Sequence, residues 1–200
     1  MPTEMTRRLF GFGKGMAFSM NDRIRTHMAL LEAGRTVGGQ DIPVGISFKN
    51  IKGVRNFKSE IERTQPLVMA IYDASHIVTV IIPNRRIQTI TPILISVIRQ
   101  GSVVVYEDEY AFRHLSGHGH HNRLFKTYRF APLNKFQGIN GTMQVYWMHL
   151  RRALRDNHVH CSRHFLWKYL DEFNFRFNRR NRSHEIFWDM VCEFPSLLKE

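Results

Sequence analysis

Between Asn21 and Ala33 the apolar residues Ile24, Met28 and Leu31 recur at spacings of four and three, which predicts a short helix capped by Asn21 or Asp22 and ended by Gly34. Beyond a turn marked by Gly38, Gly39 and Pro43, Val44, Ile46 and Phe48 alternate with Gly45, Ser47 and Lys49. That period of two predicts a half-buried strand with Ser47 facing away from the Val/Ile/Phe side. The stretch from Lys49 to Gln65 is polar and basic and reads as a loop. LVMAIYD (67–73) and HIVTVII (76–82) are β-branched runs separated only by Ala74 and Ser75, which predicts an antiparallel hairpin in a sheet covered on both faces. Thr91 followed by Pro92 predicts a helix start, since the missing proline N–H is not needed in a first turn. Ile93, Leu94, Val97 and Ile98 are its apolar stripe and Gly101 its close. VVVY (103–106) is a fourth strand, running into Glu107, Asp108 and Glu109.

A histidine-rich link, RHLSGHGHHNR, and a short basic-aromatic strand, LFKTYRFA, come next. From Thr142 to Arg155, Met143, Trp147, Leu150 and Leu154 form one helical face and Gln144, Met148, Arg151 and Arg155 another. A last helix over 163–177 is expected to bury Phe165, Leu166, Tyr169, Leu170, Phe173 and Phe177, and Trp147 and Trp167 are expected in the core. Three strands, a helix, a fourth strand and further helices describe an α/β fold, a mixed sheet flanked by helices. A carboxylate just past the end of a central strand lies in a crevice where ligands bind in such sheets, and Asp108 has that place.

Charge narrows the function. Lys and Arg number 29 against 17 Asp and Glu, a formal net charge of +12 on 200 residues, which points to an anionic partner: nucleic acid, an acidic membrane surface or an acidic protein. The ordinary hydrophobic share, 43%, excludes a largely disordered chain. Cys161 and Cys192 are the only cysteines, too few for a disulfide framework and consistent with a reducing compartment. No apolar run approaches the ~20 residues that span a bilayer, and glycines and Lys14 interrupt the N-terminal apolar patch, so neither membrane segment nor secretory signal is expected. An intracellular protein is the natural expectation.

Four stretches, VGGQDIPVGIS, GSVVVYEDEYAF, MQVYWMHLRRALR and KYLDEFNFRFNRRN, resemble the DDE transposases of ISXO-type bacterial insertion sequences and their eukaryotic Merlin-element relatives. The resemblance covers about residues 37–182, and the last two stretches are the most specific. It implies a ribonuclease-H-like fold, with residues 1–36 as a helical extension and 183–200 as a tail. It also implies DNA as substrate and three acids, on the first strand, after the fourth strand and on a following helix, that hold two Mg²⁺ or Mn²⁺ ions for phosphoryl transfer. A homo-oligomer is compatible with this family. Its members ordinarily carry an N-terminal DNA-recognition module, often a zinc ribbon. Residues 1–36 are too short for one and hold no cysteine, so sequence-specific end recognition is not expected of this stretch.

Carried over position by position, the match implies that Asp108 is the retained acid and metal ligand, that the first acid has become Ser47 and that the third has become Gln144. The basic residue after the tryptophan corresponds to Arg151, where a guanidinium replaces lysine. INGT and LFKT stand where the family has His-Thr-Asn-like and Val-Asn-His-Ser elements. The expectation is a transposase domain that keeps its fold and basic surface and has lost strand transfer, or, alternatively, a domesticated module that binds DNA or a protein without chemistry. Asp41, Asp73, Glu107 and Glu109 are the remaining acids that could substitute as ligands.

Other signals fit plainer roles. His114, His118, His120, His121, Cys161 and His164 lack the paired short spacing of a structural zinc site and are expected to be solvated. Arg152, Arg155, Arg176, Arg179, Arg180 and Arg182 are expected to contact DNA phosphates. The aromatic stripe of the last helix is expected to be core and not a base-stacking platform.

Overall fold

The computed structural model describes residues 3–51, 65–106, 129–132, 137–157 and 163–192. The elements are α1 (Thr3–Phe10), α2 (Lys14–Glu32), β1 (Pro43–Asn50), β2 (Leu67–Tyr72), β3 (Ile77–Ile82), α3 (Ile87–Val97), β4 (Val103–Tyr106), β5 (Arg129–Pro132), α4 (Gln137–Asn157), α5 (Leu166–Asn178) and α6 (Glu185–Cys192), with 3₁₀ turns at Arg163–Phe165 and Arg180–Arg182. They fall into two compact units, one holding the described residues up to Ala33 and from Leu150 onward, the other those from Gly34 to His149.

The second unit is built on a five-stranded mixed sheet of order β3-β2-β1-β4-β5. β1 pairs antiparallel with β2 and parallel with β4, which pairs parallel with β5. The expected hairpin is present, with Tyr72 opposite Ile77 and Leu67 opposite Ile82. Its turn is held by Asp73, whose Oδ1 accepts hydrogen bonds from the backbone N–H of Ser75 at 2.7 Å and of His76 at 2.8 Å. Its other oxygen accepts from the N–H of Gly38 at 2.9 Å. Gly38 has φ +82°, and a Cβ there would collide with Ser102 and Val44, so the glycine turn before β1 requires this residue. One face of the sheet buries Val44, Ile46, Met69, Ile71 and Val104 against Ile90, Leu94 and Ile98. The spacing of four between those last three is one helical stripe, so α3 covers that face.

Several local expectations are corrected. β1 is not half-buried: Val44 to Ser47 are all buried, because the strand lies between β2 and β4 with both faces covered. α3 starts at Ile87, not at Thr91–Pro92. The turn at Asn84 leads into it, the Asn84 Oδ1 accepting from the N–H of Arg86 at 2.9 Å and the hydroxyl of Thr89 at 3.0 Å. Pro92 therefore lies inside the helix, where it cannot donate to the carbonyl one turn back, and the hydroxyl of Thr91 is buried without a hydrogen-bond partner among the described residues. The helix stops at Val97, before Gly101, because Ile98 bridges to Val37 and the N–H of Arg99 bonds to the Val37 carbonyl at 3.0 Å.

The first unit is helical. α2 begins at Lys14, a full two turns before the expected cap residues. Asn21 is buried in mid-helix, accepting from the Thr6 hydroxyl at 3.0 Å, and Asp22 is paired with Lys168 at 2.8 Å. Their polar side chains serve partners far along the chain, which a local pattern does not contain. α2 packs on α5 through a buried pair, Arg25 to Glu172 at 2.8 Å, with the Arg25 guanidinium 4.7 Å from the ring centroid of Tyr169. Burial alone would raise the Glu172 carboxyl, but the cations around it, Arg176 and Arg25 among them, outweigh that and hold it below the usual carboxylate range. On α5, Leu166, Leu170 and Phe177 are buried as expected and Phe175 joins them, whereas Phe165 and Trp167 are 45% and 43% exposed, contrary to the expected core roles.

Candidate functional site

Ser47 stands opposite Ala70 on β1, on the face of the sheet away from α3, and is 5% exposed. The indole Nε1–H of Trp147 donates to its Oγ at 3.1 Å. Trp147 lies on α4, whose buried face in this unit is Met143, Tyr146 and Trp147, as the spacing of Met143 and Trp147 predicts. The Tyr146 and Trp147 rings meet edge to face at 5.3 Å. Gln144, three residues before Trp147, is exposed. The structure thus places Ser47 and Gln144 on one strand and one helix that touch through Trp147. β4 ends at Tyr106, opposite Ile46. Asp108, Glu107 and Glu109 lie outside the described residues, as do His114, His118, His120, His121 and Cys161.

A Mg²⁺ or Mn²⁺ pair needs several charged oxygens. Ser47 offers a neutral hydroxyl that already accepts the indole, and Gln144 offers a neutral amide. Asp73 spends both oxygens on backbone N–H groups, and Asp41, at φ +61°, is exposed in the turn ahead of β1. Among the described residues no cluster of three or more His, Cys, Asp or Glu could hold a metal. The residues present at the described positions do not fit a two-metal centre.

Two further residues shape this face. Gly45 pairs with Tyr72, and a Cβ on Gly45 would run into the Tyr72 ring, so the strand needs glycine where the ring crosses it. Tyr72 is 1% exposed. Sequence reasoning missed both. A glycine inside an otherwise regular strand pattern was the available signal of close approach.

The cations separate into two groups. Arg151, Arg152 and Arg155 are exposed along α4, and Gln144 and Met148 continue the same exposed face. Arg176, half exposed, pairs with Glu172 at 2.9 Å. Arg180 is exposed, 4.4 Å from the Phe177 ring centroid, and Arg182 pairs with Glu185 at 2.8 Å. Arg179 departs from the expectation of a phosphate contact. It is buried, with its guanidinium 2.5 Å from both Glu32 and Asp189 and 3.8 Å from the Phe175 ring centroid. His164 is exposed and stacks edge-on against Phe165.

No helix among the described residues is long and apolar enough to cross a membrane. No curated protein and no solved structure matches the chain significantly. The model of the ISXO2-like transposase domain matches residues 33–178, a span that holds the whole sheet, the Ser47–Trp147 contact and the exposed arginines of α4. With most of its length in that match, the chain belongs to the ISXO2-like transposase domain family.

Proposed function

We propose that this chain is a degenerate transposase domain of the DDE type, which binds duplex DNA through phosphate contacts and no longer cuts or joins it. The observation that carries this is Ser47: the residue read as the first acid position is a buried hydroxyl hydrogen-bonded to Trp147, and the residue read as the third, on the same helix as Trp147, is Gln144. A neutral pair cannot offset the charge of two divalent ions. Asp108 is the retained acid in this reading, and Arg151 the basic residue that followed the third one.

A ribonuclease-H-like assignment of residues 37–182 is supported by the central place of β1 in the mixed sheet, by β4 beside it, and by α4 covering the face of β1 that bears Ser47. Residues 1–36 then form a helical extension and 183–200 a tail. DNA as partner is supported by the family and by the net charge of +12, with Arg151, Arg152 and Arg155 exposed along one helix. Without a metal centre, binding depends on cations alone. Fluorescence anisotropy on labelled duplex DNA in excess EDTA tests this: the full chain binds, with log K falling linearly as log salt rises. No binding in EDTA, or a flat salt dependence, contradicts it.

A further inference from the structure

The face of β1 that bears Ser47 is a finished core layer. Gly45 and Ser47 are two residues apart and so lie on the same side of the strand. Their partners across the β1–β2 pair are Tyr72 and Ala70, and beyond them on β3 stand Ile77 and Thr79. All six are buried. Tyr72 lies over Gly45 so closely that no side chain larger than hydrogen fits beneath it, and Trp147 reaches Ser47 from α4. Tyr146 is fully buried beside Trp147.

We infer that this layer has been sealed by Tyr72 and Trp147, so that the Ser47 position is closed to divalent metal even when the acids at 47 and 144 are restored. This rests on the reading of Ser47 and Gln144 as the altered positions. A Mg²⁺ or Mn²⁺ ion dehydrates reluctantly and keeps several waters in its shell. Those waters need room and polar partners. Over Ser47 and Gly45 the structure supplies two aromatic rings and only neutral polar groups: the Ser47 hydroxyl and the indole N–H, bonded to each other, and the phenolic hydroxyl of Tyr72, packed against Gly45. Loss of the acids and closure of the face are therefore separate changes, and reversing the first leaves the second in place.

The test uses Mn²⁺ alone as probe, with the full chain carrying Ser47→Asp and Gln144→Glu. Calorimetry is expected to give no saturable Mn²⁺ binding, and the melting temperature of the folded double variant is expected not to move when millimolar Mn²⁺ is added. Saturable binding, or a metal-induced rise in melting temperature, overturns the inference. If the double variant does not fold, Trp147 reports on the unaltered face in a chain carrying Trp167→Phe and Trp188→Phe, both exposed positions. Acrylamide is expected to quench Trp147 several-fold less in the native chain than in urea; equal quenching overturns the inference. Mn²⁺ binding by the repaired variant leaves the proposed function standing, whereas metal-dependent nicking by the unaltered chain sinks that function.

Discussion

The indole of Trp147 donates a 3.1 Å hydrogen bond to the hydroxyl of Ser47, tying α4 to the central strand across 100 positions of sequence. The bond is buried, so its loss from either side removes a hydrogen bond where water does not readily replace it. Trp147→Phe removes the donor and part of the ring and is expected to cost about 1–3 kcal/mol in denaturant unfolding. Ser47→Ala leaves the indole N–H unmatched and is expected to cost about 1–3 kcal/mol. The double variant should lose less than the two single losses combined, by roughly 0.5–1.5 kcal/mol. Strict additivity contradicts a stabilising contact.

Arginines of similar sequence context are expected to behave differently on substitution. Arg151→Ala and Arg155→Ala, on the exposed face of α4, each lower the slope of log K against log salt for duplex DNA by about 0.9 and leave stability within about 0.5 kcal/mol. Arg179→Ala removes the buried cation shared by Glu32 and Asp189, leaving the Glu32 charge with the neutral amide of Asn178, and should destabilise the fold by about 3–5 kcal/mol. Anisotropy titrations beside urea melts separate the two behaviours. A stable Arg179→Ala chain with a reduced salt slope returns that residue to the DNA-contact set.

Asp171 predicts a pH dependence. Burial, and behind it the charge of Glu32, pushes its carboxyl up to about 6. The folded value lies above the unfolded one, so the folded state holds the proton more tightly. Asp171 imposes no penalty below the ordinary Asp range. Stability falls as pH rises from there through about 6, and above that the penalty is complete. Asp171→Asn is expected to raise stability by about 1–2 kcal/mol near neutral pH, a figure reduced for partial exposure, and to change little below about pH 3.5. Thermal melts of both chains across that range check the sign. A gain confined to acid pH contradicts it.

Contrasts of this kind mark what can be read in a sequence of this fold. The β2–β3 hairpin is legible because two apolar runs are separated by a turn, and the two faces of α4 because its periodicity is strict. β1 is less so. Alternation separates two faces, but does not tell a covered face of small residues from a solvated one, and only Tyr72 and Trp147 show what fills the space over Gly45 and Ser47. The start of α3 hides in the Asn84 turn, whereas Pro92 gives a strong but misleading local signal. Arg179 looks like its basic neighbours until Glu32, 147 positions away, is placed beside it. Of the candidate site, Ser47 and Gln144 are singled out only by the resemblance to the family's motifs. The packing that closes over Ser47 is not, because it is a property of side chains brought together from three separate elements.

The most direct measurement is nicking and joining of transposon-end DNA by the full chain in Mg²⁺ and in Mn²⁺, with Asp108→Ala run beside it. On the proposed reading, in which Ser47 and Gln144 stand in place of two of three acids, the chain gives no metal-dependent product above the level of Asp108→Ala. Clear metal-dependent nicking that Asp108→Ala abolishes would contradict the account.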